Sequence, residues 1–245
     1  MAAGLSLVAG GGIRAADFQP ERMAPGDGAW SRLDDRPQAS ERLPAPSSPT
    51  LSEVFASSAR DGGATGFLLA HLPRGKPLLW VQERMAVLEA GRIYPPGLGV
   101  AELIHVDARD ARAALWAMEE GLRCSALGAV IGEIWGDPKA LDFTATRRLA
   151  VAAERNGVAA YLIRLGGHAN LSGARMRWRV ASAPSRPHRF DYKAPGLPTW
   201  EAELFRARGF APDRWFVGHD GAADRVGMAG AAGDRTLATR ERRVG

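Results

Sequence analysis

Blocks of apolar residues separated by polar, Gly-rich junctions recur between residues 77 and 165. The runs 77–81 (PLLWV), 102–106 (ELIHV), 129–135 (AVIGEIW) and 158–165 (VAAYLIRL) have the length and continuity of buried strands. Between them lie helical patterns. Asp107 reads as the N-cap of a helix over 108–124, with Asp110 near its positive end and Leu115, Met118 and Leu122 on one stripe. Asp142 or Thr144 opens a second helix, which stops at Asn156-Gly157. Residues 50–59 and 63–72 read as short helical or irregular segments split by Asp61, Gly62 and Gly63.

The rhythm changes after residue 165. Segment 175–181 (RMRWRVA) alternates Arg with Met, Trp and Val, the period of a half-buried strand. Segments 200–206 and 214–219 read as two more strands, joined by Pro-rich loops. Strand–helix alternation requires crossovers and a mainly parallel sheet, whereas the last three strands predict an antiparallel extension. The expected fold is therefore a three-layer α/β core with antiparallel C-terminal strands. Residues 1–49 read as a disordered leader and 221–245 as a disordered basic tail, flanking one domain over 50–220.

Composition narrows the setting. The chain has 245 residues, 46% of them hydrophobic and 24% charged, enough for a core without staples. Cys124 is the one cysteine, so no internal disulfide forms and a reducing compartment is expected. No run reaches the roughly 18–20 apolar residues of a membrane span, and the N-terminus lacks a secretory pattern, so a cytoplasmic protein without membrane contact is expected. Of 32 basic residues only Lys76, Lys139 and Lys193 are lysine. Arginine suits phosphate or carboxylate partners, although codon usage also favours it.

A parallel core of this order resembles the RecA-like ATPases, which carry a Gly-rich phosphate loop ending in Lys and Ser or Thr. The corresponding place holds Gly62, Gly63 and Gly66, but Phe67 follows where Lys belongs and no Ser or Thr comes after it. Lys76 lies ten residues past Gly66, too far to serve the same loop. Glu83, after one strand, and Glu133, near the end of another, stand where a water-activating Glu and a Mg²⁺-holding acid would be sought. Without a phosphate loop they have nothing to act on, and the favoured reading is that both are ordinary polar residues at strand ends.

The stretches 114–134 and 141–164 are similar to the ImuA family, with Trp116, Glu119, Glu120 and Arg123 followed by Thr146, Arg147, Arg148 and Leu149. Segments 175–185 and 200–209, then Trp215, continue the resemblance. It implies a RecA-like protein without a Walker A motif and without a cofactor, acting in the SOS response and damage-inducible translesion DNA synthesis. The implied partners are ImuB, an inactive polymerase relative, and an error-prone replicative-type polymerase, with RecA or DNA as further candidates. A SulA-like inhibitor of cell division, or a degenerate nucleotide-binding protein using Glu83 and Glu133, are the alternatives.

Arg147 and Arg148 are candidates for partner or DNA contact, since Arg147 points away from the helix stripe of Ala145, Leu149, Ala152 and Asn156. Segment 175–214 holds nine basic residues, Arg175, Arg177, Arg179, Arg186, Arg189, Lys193, Arg206, Arg208 and Arg214. Four acids oppose them, so the local excess of five equals the net charge of the chain. Arg175, Arg177 and Arg179 share one strand face, and with Trp200 and Trp215 nearby they suggest a strip that tracks phosphates and stacks a base. His105 and Cys124 read as core residues, and the histidines show no metal-ligand spacing. No catalytic residue is assigned.

Overall fold

The computed structural model describes residues 43–73, 75–100, 102–185, 194, 196–220 and 225–228. The chain divides into two units, 1–38 and 39–245, and the described residues all belong to the second. The leader before Leu43, the tail beyond Met228, and Arg186, Arg189 and Lys193 lie outside them.

Among the described residues nine strands form one sheet: β1 (Leu51–Ala56), β2 (Leu78–Glu83), β3 (Leu103–Ala108), β4 (Ala129–Trp135), β5 (Ala159–Leu165), β6 (Met176–Ala183), β7 (Thr199–Ala207), β8 (Asp213–Asp220) and β9 (Arg225–Met228). Their order is β3-β2-β4-β5-β1-β6-β7-β8-β9. All pairs from β3 to β6 are parallel, and those from β6 to β9 are antiparallel. This is consistent with the RecA-like α/β fold expected from the sequence. The antiparallel extension starts one strand later than expected, because β6 runs parallel to β1 and only then meets β7.

Two cores lie on opposite faces of the sheet, because strand side chains alternate. Helices α3 (Ala111–Gly121) and α4 (Phe143–Asn156) close one face over Val81, Val130, Ile134 and Leu162. The other face holds α1 (Gly63–Leu69), α2 (Arg84–Ala90) and the rings of Phe67, Trp80, Trp178, Trp200 and Trp215. A short 3-10 helix (Pro95–Leu98) leads towards β3.

Residues 51–56, expected to be helical or irregular, form the parallel strand β1 at the sheet centre. Both of its faces are buried, so the period-two alternation that reveals a half-exposed strand is missing, and Ser52 and Glu53 mask the apolar run. The first long helix begins at 111, not 108. Asp107 stays in β3, paired with Gln82, and Asp110 Oδ1 instead accepts the Ala113 N–H at 2.8 Å as N-cap. The helix also ends earlier, at Gly121, which leaves Cys124 exposed and not in the core. Asp142 caps α4 through the Ala145 N–H at 2.7 Å, and Gly157 ends it with φ of 67°, as read from the sequence. Residues 225–228 add a ninth strand inside the stretch read as a disordered tail.

Candidate functional site: a closed loop and an arginine surface

The loop from Ser57 to Gly62 joins β1 to α1, the position a phosphate loop occupies in a RecA-like fold. There, backbone N–H groups at the start of a helix face an anion. In this chain the anion is internal. Asp61 Oδ1 accepts the Gly63 N–H at 2.8 Å and the Ser182 hydroxyl, while Oδ2 accepts the Ser182 N–H at 2.9 Å and the Ser57 hydroxyl at 2.6 Å. Burial alone would raise the Asp61 pKa, but the bonds from Ser182, Ser57 and Gly63 outweigh it and hold the carboxyl below its ordinary value. A negative charge thus sits where a phosphate would approach.

Two of the three glycines here, Gly63 and Gly66, serve packing. A Cβ on Gly63 would lie 2.7 Å from the backbone nitrogen of Ser182, and one on Gly66 would lie 2.9 Å from the Trp200 indole. A Cβ on Gly62 would meet nothing within 4 Å. Phe67, in place of the lysine, is buried against Trp178 and Trp200.

Asp61→Asn removes the charge that four donors address. The expected loss at neutral pH is about 1–2 kcal/mol, at the low end for charged hydrogen bonds because the group is half open to solvent. A depressed carboxyl pKa contributes stability in full above its unfolded value, and the contribution is lost as pH falls through the folded value. The gap between wild type and Asp61→Asn, followed by urea unfolding, should be constant from neutral pH downward and close below the usual carboxylate range. A gap that persists in strong acid would contradict this role for Asp61.

Glu133 lies within β4, not at its end, and is buried. Its oxygens accept the Trp80 indole N–H and the Gln82 amide, each at 2.8 Å. Burial pushes its pKa up, partly offset by those two bonds. Gln82 in turn accepts the Ile93 N–H at 3.0 Å and meets His105 at 3.1 Å. That histidine has a partner, but it is only part-buried and not in the core as expected, because β3 is the edge strand of the sheet. Glu83 is buried at the end of β2 and accepts the Trp135 N–H at 3.0 Å. Both acids therefore hold neighbouring strands together. Among the described residues no group of His, Cys, Asp or Glu could hold a metal ion, and no helix is long and apolar enough to cross a membrane.

The arginines separate into three groups. Arg177 and Arg179 do share a face of β6 away from Met176 and Trp178. Arg177 is buried, however, with Nε 2.6 Å from Glu53 Oε2, and Arg179 meets Glu203 at 3.1 Å. Arg164 joins the same network, 3.6 Å from Glu53 and 2.5 Å from Asp137. The Phe55 ring lies under both Arg164 and Arg177. Arg214 pairs with Glu201 at 2.6 Å. The expected base-stacking strip does not assemble, since Trp200 and Trp215 are buried in the core on the opposite face. Strand alternation places them there, with Ala202 and Val217.

The second group surrounds α4. Its buried stripe is Ala145, Thr146, Leu149, Ala150 and Ala153, which leaves Phe143, Arg147, Val151 and Arg155 outward at four-residue spacing. Arg148 is exposed and reaches Glu119 on α3 at 3.1 Å. Arg175 grips Glu154 of α4 through two bonds, at 2.6 and 3.2 Å. Arg206 and Arg208, the third group, are exposed at the end of β7 beside this helix. Sequence reasoning named Arg147 and Arg148 as contacts, and Trp116 only within the family resemblance, but passed over Phe143, Val151 and Arg155. The outward stripe of α4 was available from its spacing alone. The Asp61–Ser182 and Glu53–Arg164 pairings carried no signal, because the partners lie far apart in sequence.

No family model matches the chain. The chain is 35% identical over 156 residues to the protein ImuA of Caulobacter vibrioides strain NA1000 / CB15N, covering 59% of this chain and 61% of that protein. The same figures hold for ImuA of Caulobacter vibrioides strain ATCC 19089 / CB 15. The chain thus spans about three fifths of the length of these curated relatives.

Proposed function

The match to the Caulobacter proteins supports membership of the ImuA family, and from that premise we propose that this chain is a non-catalytic RecA-like accessory protein of error-prone translesion DNA synthesis. It acts by binding an ImuB-type polymerase relative, with RecA, the error-prone polymerase and DNA as further contacts. The observation that carries this reading is the closed loop between β1 and α1. Asp61 takes up the Gly63 N–H, Gly63 and Gly66 are filled by neighbouring chain, and Phe67 stands in the core where a lysine would meet phosphate. Glu83 and Glu133, the acids a nucleotidase would use, are engaged with Trp135, Trp80 and Gln82. Function then rests on surfaces, and an arginine-rich helix face with aromatic neighbours has the composition of binding hot spots.

The test is capture of the purified full chain by an immobilised ImuB-type protein in nucleotide-free buffer, at low and moderate salt. Retention in both is the expected result. Absence of retention in both would sink the partner assignment.

A further inference from the structure

We propose that the outer face of α4 docks an acidic protein segment that carries apolar side chains, an inference that rests on the accessory reading above. Four depressions join along this face by shared residues. The first, about 390 Å³, lies between Trp116 and Lys139 and shares Thr144 and Arg148 with the second, about 810 Å³. The second shares Arg147 and Val151 with the third, about 560 Å³, which reaches Arg206. The third shares Arg175 and Arg208 with the last, about 450 Å³. Nine cationic side chains and three carboxylates line the four, an excess of six. The whole chain carries a net +5, so this one face holds a positive excess as large as the entire molecule's.

The apolar component selects the class of partner. Phe143, Val151 and Trp116 are exposed along the line, Trp116 at 65%. Leu171, at 68%, lies two residues before Gly173, whose Cβ would strike the Arg147 backbone. A nucleic acid strand stacks bases on rings, but Val151 and Leu171 have none. Two of the carboxylates also stand within the line, Glu119 holding Arg123 and Arg148, and Glu154 holding Arg175. A uniformly charged phosphate backbone would run over them. A protein segment can place discrete carboxylates at Arg147 and Arg155 and apolar side chains at Phe143 and Val151, avoiding both acids. Arg155 stands in the last turn of α4 and lines the second depression, so it offers the segment a cation there.

The experiment titrates the full chain with the purified ImuB-type protein and, separately, with an oligo-thymidine strand of about 20 nucleotides, long enough to cover one binding site. Two double variants are used, Arg147→Glu with Arg155→Glu, and Phe143→Asp with Val151→Asp. Arg84→Glu on α2 is the control, exposed on the other layer. All changes are at exposed positions, and an unchanged unfolding midpoint verifies the fold. Both double variants are expected to weaken the protein partner by about 10-fold or more, with Arg84→Glu neutral. Only the arginine pair should flatten the salt dependence. Wild-type binding that neither double variant weakens would overturn the surface assignment and leave the accessory reading standing. Loss of oligonucleotide binding with protein binding retained would overturn it in favour of a nucleic-acid surface. A wild type that does not bind the ImuB-type protein would overturn the accessory reading and this inference with it.

Discussion

Replacing Glu53 by alanine is expected to destabilise the protein by about 3–5 kcal/mol, the cost of breaking a buried ion pair from one side. Glu53 has no exposed surface, and Arg164 and Arg177 are each 3% exposed. The carboxylate meets Arg177 at 2.6 Å and Arg164 at 3.6 Å, so its removal leaves two guanidinium groups in the interior. Asp137 retains Arg164, but among the described residues the Arg177 guanidinium is left with the faces of Phe55 and Phe205. The network spans β5, β1 and β6, the strands that join the parallel core to its antiparallel extension. Urea unfolding with the slope unchanged measures the loss. Exchanging both partners, Glu53→Leu with Arg177→Met, should recover most of it, because no charge is then left unpaired. A single-variant loss below about 1 kcal/mol would show that the pair contributes little at this position.

Gly63→Ala is expected to cost about 2–3 kcal/mol, in the range of overpacked cores. The added Cβ would meet the backbone of Ser182 at 2.7 Å and of Ala181 at 3.0 Å, and backbone in the middle of a sheet cannot turn aside. Helix α1 would have to lift from β6, and the Asp61 contacts to Gly63 and Ser182 would lengthen with it. Gly62→Ala, one residue earlier, meets open space and should cost less than about 1 kcal/mol, mainly as a poorer helix cap. The contrast separates the two roles a glycine in this loop can have. If both substitutions were equally mild, close packing of α1 would not explain why Gly63 is glycine.

Strands β2 to β5 and helices α3 and α4 were legible because their apolar runs and caps are local signals. Asp142 and Gly157 bound α4 by chemistry that a few neighbouring residues define. β1 was not legible. Its core position tolerates Glu53 only because Arg177 lies 124 residues away, and no local pattern reports that distance. The missing phosphate loop was evident from Phe67, whereas its replacement by Asp61 depends on Ser182, 121 residues away. Of the arginines of 175–179, Arg177 and Arg179 were read correctly as to face, while Arg175 lies just before β6. Their charge was overestimated, because Glu53, Glu154 and Glu203 neutralise it from other elements. The exposed stripe of α4, which spacing does reveal, carries the basic and apolar surface that remains.

On the proposed function, partner binding and not nucleotide defines this chain. The most direct test is calorimetric titration of the full chain with the ImuB-type protein, carried out in the absence of nucleotide and again with millimolar Mg²⁺–ATP. The expected result is the same affinity in both buffers and no heat when ATP alone is added. Saturable ATP binding, or partner binding that appears only with ATP, would contradict it.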